Sequence, residues 1–280
     1  MVSTPRAEHA RGPSRVQSID RAVGLLRCFG PEQPDHGVSE LARRTGLSVS
    51  TTHRLLVALA DNGLLRPISG GRYALGPLVA QLARGGVGAR LREVAAPVMQ
   101  RLRDEVDETV GLHELLPTDE RVVVDQAESR QPLHRRYTEL GVPIPLVHGA
   151  PGKAMLAFLP PERRAAVFAR PIQRLTPTTI TDAARLTAEL VEIRDRGCAS
   201  SLAERMPGIH TVAAPIFDHT AAVAGALSIS APQQRMSPSR MQHLQAPARD
   251  AARTISRMLG ATDETVGDAH READGAAVSG

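Results

Sequence analysis

"VSELARRTGLSVSTTHRLLVALADNGLL", residues 38–65, is two short amphipathic segments joined by a turn. Ser39 is placed to cap the first segment, which turns Leu41 and Ala42 inward. Gly46 ends it, because a tight turn between helices needs a residue at ease with positive φ. Leu47 packs, Ser48 caps a second helix, and Leu55, Leu56 and Leu59 form its inner side until Asn62-Gly63 stops it. Two helices joined by a short glycine-containing turn make a helix-turn-helix. At the start of the second helix, Ser48, Ser50, Thr51, Thr52, His53 and Arg54 fall where a solvent face belongs. Short hydrogen-bonding groups and a cation suit base edges and phosphates. Taken singly, each reads better as a cap or a solvated charge. The next stretch decides between these: "LLRPISGGRYALG" (64–76) reads as strands at Leu64-Leu65 and Tyr73–Leu75 closed by Ser69-Gly70-Gly71. Arg66 flanks one strand and Arg72 sits beside the tip, giving a basic wing that reaches phosphates or the minor groove. Ser39 joins these residues as a candidate DNA contact.

Upstream, "VQSIDRAVGLLRCF" (16–29) sets Ile19, Val23, Leu26 and Phe29 at helical spacing with Ser18 as N-cap. "GPEQPDHG" (30–37) then breaks the helix. Charge supports a polyanion-binding head: residues 1–90 carry 12 Arg against 6 Asp+Glu, whereas residues 91–280 carry 22 Lys+Arg against 24 Asp+Glu. No apolar run approaches the roughly 18 residues of a bilayer span, and the first fifteen residues lack the apolar core of a secretory signal. A cytoplasmic chain with no membrane partner is expected. Cys28 and Cys198 lie far apart and are expected to be small buried hydrophobes.

The run "ELARRTGLSVSTTHRLLVALADNGLL…GRYALG" resembles the DNA-binding half of the IclR family of bacterial transcriptional regulators. The resemblance continues through "LREVAAPVMQRL", "DETVGL", "TPTTITD", "VAAPIFD" and "ALSIS", covering about residues 16–260. It implies an α+β chain: a winged helix-turn-helix joined by a linker helix to a PAS/GAF-like α/β effector-binding domain. It also implies a repressor acting on double-stranded DNA at a pseudo-palindromic operator, as a homodimer or a dimer of dimers, under control of a small organic-acid or aromatic effector. The expected layout is a disordered arm (1–15), the winged domain (16–76), the linker helix (77–97), the effector domain (98–260) and a disordered tail (261–280). "GGVG" (85–88) is a candidate hinge, and Pro97 is expected to kink or interrupt the helix that follows.

Within the larger domain, "TVGLHEL" and "RVVVDQAE" read as an antiparallel pair, and "HTVAAPIFD" and "AVAGALSIS" as two further strands. Asp182 caps a helix with Leu186, Leu190 and Ile193 inside and Gly197 at its end. A final helix turns Leu244, Ile255 and Leu259 inward, with Pro247 an irregularity. Residues 143–151 read as a loop, with a helix starting at Ala154.

The chain has one lysine, Lys153, among 34 Lys+Arg residues. It follows a glycine-rich turn, "GAPGK", but a phosphate loop GxxxxGK[ST] would need Gly at Val147 and a hydroxyl at Ala154. Schiff-base chemistry lacks an assignable base, and the ten scattered His and two separate Cys do not form a metal site. No catalytic residue, metal or cofactor is assigned. The competing class is an enzyme, or a redox or metabolite sensor, that uses the body and is targeted to DNA by the head. Under the resemblance, Gly149, Ala150 and Pro151 line the effector pocket. The family's acidic pocket position falls on Ser201, with Glu204 nearby as a substitute. The position commonly Cys is Thr211, Ser228 and Ser230 match directly, and the family's histidine is shifted by one to His148. Lys153 is expected to be framework.

Overall fold

The computed structural model describes residues 16–30, 33–84 and 89–262. The expected terminal arm, the hinge at 85–88 and all but the first two residues of the expected tail lie outside them. The described residues form two compact units that divide between the fourth and fifth helices.

The first unit contains α1 (Gln17–Leu26), β1 (Asp35–Gly37), α2 (Val38–Thr45), α3 (Val49–Asp61), β2 (Leu65–Ile68), β3 (Arg72–Leu75) and α4 (Pro77–Arg84). Leu25, Leu41, Leu56, Leu59 and Leu65 form its core. Gly46 has φ 70°, and the Ser48 hydroxyl accepts the Thr51 N–H as N-cap. The wing is an antiparallel β2–β3 hairpin turning at Ser69–Gly71.

Two expected caps fail here, and two features were not foreseen. Ser18 lies inside α1, whose N-cap is Val16. Leu25 of α1 is buried, with Ala22, Leu26 and, after the helix, Phe29 packed against the core, while Ile19 (60% exposed) and Val23 face solvent. Helical periodicity shows that an apolar stripe exists, not what covers it. Ser39 is exposed in the first turn of α2; Gly37 is the N-cap, with no side-chain capping bond. The expected break at 30–37 ends in β1, which pairs with β3 and makes the wing three-stranded. His36 fixes that strand: buried, it bonds the Glu40 carboxylate and the Cys28 carbonyl, each at 2.8 Å.

The second unit contains α5 (Ala89–Val106), β4 (Thr109–Leu115), β5 (Glu120–Ala127), β6 (Ile144–Pro145), α6 (Gly149–Leu156), α7 (Pro161–Phe168), α8 (Ala183–Arg196), β7 (Ala199–Leu202), β8 (Ile209–Phe217), β9 (Val223–Pro232) and α9 (Pro238–Met258). Its antiparallel sheet runs β6-β5-β4-β9-β8-β7. Period-two alternation builds the layers. Val110, Leu112, Val212, Ala214, Leu227 and Ile229 point to one face, where α5 and α9 supply Leu102, Leu244 and Ile255. The register places the intervening Gly111, His113, Thr211, Ala213, Ser228 and Ser230 on the opposite face, where α6 and α8 pack. The Asp182 cap, the inward Leu186, Leu190 and Ile193, and the left-handed Gly197 are as expected.

α5 does not stop at Pro97; it continues to Val106, because Leu91, Ala95, Val98, Met99 and Leu102 anchor both sides of the proline in this core. The helix therefore belongs to the second unit, and the expected boundary at 97/98 moves towards the N-terminus. α9 likewise runs through Pro247.

α6 begins at Gly149, five residues before the expected start. Pro151 lies in its first turn, where a missing N–H costs nothing. Gly152 is required: a Cβ there would stand 2.2 Å from the Leu146 carbonyl oxygen. Lys153 comes next and is 0% exposed. Its ammonium donates to Glu189 at 2.6 Å and to Glu204 at 2.7 Å. Lys153 is thus framework, binding α6 to α8 and to the segment after β7.

Removing this cation leaves two carboxylates facing each other in a buried site. Lys153→Met is expected to lower unfolding stability at pH 7 by about 3–5 kcal/mol in urea titrations. The deficit should narrow towards pH 5, because the abandoned carboxyls then bind protons more readily in the folded state than in the unfolded one. An equal loss at both pH values would show that Lys153 contributes only packing.

Candidate effector pocket and DNA-recognition surface

On the first unit, the start of α3 presents Ser50, His53 and Arg54 to solvent, with Val49 and Val57 exposed on the same helix. The two valines were not singled out from the sequence; apolar groups beside polar ones suit thymine methyls. Ser48 and Thr51 bond each other at 2.9 Å and close the cap. Thr52 is 0% exposed and turned into the core, so it does not belong to the surface. The helix turns about 100° per residue, so a residue four before the buried Leu56 shares its inward face. Arg66 is exposed on β2. Arg72 pairs with the Asp35 carboxylate, donates to the Asp35 carbonyl at 2.8 Å and lies 3.8 Å from Glu40. Its guanidinium binds β1 to β3, which leaves Arg66, among the described residues of the wing, as the cation with no ion pair.

On the second unit, the polar face of the sheet meets the start of α6 around a cavity. Gly149 (φ 76°), Ala150 and Pro151 form one wall; Thr211, Ser230 and Tyr137 form the floor; Ser201 stands at one side. These bring together six of the nine expected pocket residues. Ser228 lies just behind, bonded to His113 Nε2 at 3.0 Å and Tyr137 at 3.2 Å. His148 is the buried residue before α6, its carbonyl facing Arg121. Glu204 is the departure: its carboxylate is taken by Lys153, and its carbonyl accepts the Thr179 hydroxyl at 2.6 Å and Thr176 at 3.1 Å. Ala203, at φ 58°, turns the chain there, so Ser201 and Arg205 face the cavity while Glu204 does not.

The polar walls were mostly missed: His113, Arg121, Arg135, Tyr137 and Arg205 all line the cavity. Alternation within "TVGLHEL" could have found His113, which lies opposite in facing to the buried Val110 and Leu112. Tyr137 bonds Ser230 at 2.8 Å and stacks under Arg135 at 4.4 Å. It explains Gly111, where a Cβ would come 2.7 Å from the tyrosine ring. Arg121 Nη1 lies 2.9 Å from His113 Nδ1. A guanidinium only donates, so Nδ1 holds its lone pair and Nε2–H donates to Ser228. Burial, then Arg121, Arg205 and Arg135, hold the His113 pKa well below its ordinary value, and burial lowers His148 too. A larger cleft of about 500 Å³ lies beside residues 174–182. Its Arg174 is engaged within the loop, by the Pro177 carbonyl and the Thr181 hydroxyl.

Both units match known families. The profile described as "IclR helix-turn-helix domain" matches residues 18–68, and "Bacterial transcriptional regulator IclR C-terminal" matches residues 87–257. The chain belongs to the IclR family. It is similar to the HTH-type transcriptional regulator Rv1719 of Mycobacterium tuberculosis, 38% identical over 79% of this chain and 84% of that protein. It is also similar to the transcriptional repressor IclR of Escherichia coli, 29% identical over 91% and 94% of the two chains. Among solved structures, an IclR homolog from Microbacterium hydrocarbonoxydans complexed with 4-hydroxybenzoate superposes with TM-score 0.75 at 26% identity, covering 88% of this chain and all of that one. Like its IclR relatives, the chain is a DNA-binding transcriptional regulator with an effector-binding domain. No helix among the described residues is long and apolar enough to cross a membrane, and none of their His, Cys, Asp or Glu side chains form a metal-holding group of three. Burial pushes the Cys198 thiol up to about 12, which leaves it unreactive.

Because the unfolded chain protonates its histidines more readily than this pocket does, stability should fall as pH drops below about 6.5. The loss is up to about 1.4 kcal/mol per pH unit for each depressed imidazole. His113→Gln, which keeps an acceptor and a donor, is expected to flatten the decline in melting temperature between pH 6.5 and 5.5. An unchanged slope would exclude His113 as a source.

Proposed function

We propose that this IclR-family chain is a repressor that binds a pseudo-palindromic operator as a homodimer or dimer of dimers and responds to a small organic or aromatic acid. The observation that carries the DNA half is the exposed face of α3. Ser50, His53 and Arg54 stand free there while the cap, core and wing pairs occupy Ser48, Thr52 and Arg72. Arg54 reads guanine or holds phosphate, Val49 and Val57 meet thymine methyls, and Arg66 holds backbone phosphate. Self-association is supported by Ile19 and Val23 on α1, with Val16 at its N-cap, an exposed apolar stripe at helical spacing. A two-fold protein presents two α3 helices, which is why the operator should carry two related half-sites. Repression is supported by the Escherichia coli relative, and an acidic effector by the 4-hydroxybenzoate bound to the Microbacterium homolog. Such a regulator works in the cytoplasm.

Fluorescence anisotropy on the chain's own upstream DNA across a salt series tests this. Arg66→Ala should weaken binding on all sequences and reduce the salt slope by about one per protomer. Arg54→Ala should cost about 1–3 kcal/mol and relax the preference at one base position in each half-site. Arg72→Ala should act through the wing, lowering the melting temperature along with affinity. An intact protein without salt-sensitive DNA binding would sink the proposal.

A further inference from the structure

The effector pocket carries more positive charge than its own walls neutralise. Arg135 and Arg205 share one carboxylate, Glu139, each at 2.8 Å. Arg121 is 2% exposed and has no carboxylate partner among the described residues; its contacts are His113 Nδ1 and the His148 carbonyl, and its Nε is buried without a hydrogen-bond partner. His113 is fixed as a neutral donor–acceptor by those same bonds and adds no charge. Three guanidiniums against one carboxylate leave an excess of two positive charges around one cavity. A buried cation without a counter-ion is costly, and the protein retains this one where a ligand can reach it.

We infer that the pocket takes a small organic dianion, one carboxylate of which pairs with Arg121. This rests on the second unit being an effector domain and names the class of effector. A monoanion would leave one charge uncompensated; a dianion closes the balance. The remaining polar groups suit its second acidic group: the hydroxyls of Ser201, Thr211 and Ser230 beside the first turn of α6, whose N–H groups have no partner within the helix. Free space in the cavity is about 30 Å³, enough for a water or two. Entry therefore displaces a side chain, and the one placed to move is Arg205, which is 23% exposed and held to Glu139 by a single ion pair. After leaving Glu139, Arg205 closes on the ligand. Burial and Arg205 push the Arg121 guanidinium down to about 9, still cationic at neutral pH, and a bound carboxylate reverses that shift.

The test is calorimetric and thermal-shift titration of the full chain with succinate, glutarate, phthalate and inorganic phosphate, each acid paired with its monoamide or with benzoate. At least one dicarboxylate should bind about tenfold or more tighter than its singly charged counterpart. Arg121→Met should lower that affinity about a hundredfold, while the ligand-free melting temperature stays within about 2 °C, because a function-bound charge contributes little to the fold. Arg205→Ala, at the mouth and safe for folding, should lower affinity about tenfold. Tightest binding by phosphate would still place a dianion on Arg121 but assign an inorganic one, overturning the organic class. Singly charged analogues binding as well as the diacids, no binding across the panel, or unchanged diacid affinity in both variants would each overturn the inference. Salt-sensitive DNA binding measured without ligand on the same preparation separates the two claims: its absence defeats the regulator reading and leaves the pocket result standing.

Discussion

The alternation of β4, β8 and β9 is the constraint on which the second unit depends. Along the middle of each strand, alternate side chains are aliphatic and enter the layer under α5 and α9, where burial supplies most of the favourable free energy. That assignment leaves the intervening residues no choice of face. Thr211, Ser228, Ser230 and His113 must then satisfy one another and Tyr137, as they do through bonds of 2.8–3.2 Å. The polar floor of the pocket is the obligatory reverse side of the core. A one-residue slip in any of these strands would place hydroxyls in the core and leucines in the pocket.

The start of α6 is set against this floor by contacts of a different kind. Gly152 lets the helix approach the Leu146 carbonyl, and Lys153 holds it from behind through two carboxylates. The segment after β7 serves both neighbours. Ser201 and Arg205 look into the cavity, Glu204 looks away to Lys153, and the two threonine hydroxyls of "TPTTITD" hold its backbone. Movement of Arg205 is therefore mechanically close to a buried ion triad, through a turn already held at a left-handed residue, Ala203.

What could be seen in the sequence was local. The cap at Ser48, the turn at Gly46, the Asp182 cap and the stop at Gly197 each depend on neighbours within a few residues, and each stands where expected. Four of the six strands of the second sheet were legible as β-rich runs, the two short edge strands β6 and β7 were not, and the wing was legible from its double glycine. The failures concern partners distant in sequence. Nothing near Arg72 shows that Asp35 will take its guanidinium, and nothing near Lys153 or Glu204 shows that they will meet across 51 residues. The helical spacing of Ile19, Val23, Leu26 and Phe29 did not show which of them the core covers, because an apolar stripe looks the same whether covered or exposed. Pro151 concealed the start of α6, since a proline suits a loop and a helical first turn equally. Of the pocket, the family resemblance supplied Gly149, Ala150, Pro151 and the hydroxyls. It did not supply the arginines, which arrive from β5, the loop before β6 and the segment after β7.

Lys153 has a consequence for handling the molecule. The chain's only side-chain amine is buried beneath α8, donating to the Glu189 and Glu204 carboxyl groups. Reagents that couple to lysine have no side chain to attack on the folded protein, so immobilisation, crosslinking and fluorescent tagging by that chemistry fall on the α-amino terminus alone. The same seclusion makes acylation of Lys153 a clock: modification at that position proceeds only as fast as the second unit opens, and the mass of the peptide that contains it counts the molecules that have done so.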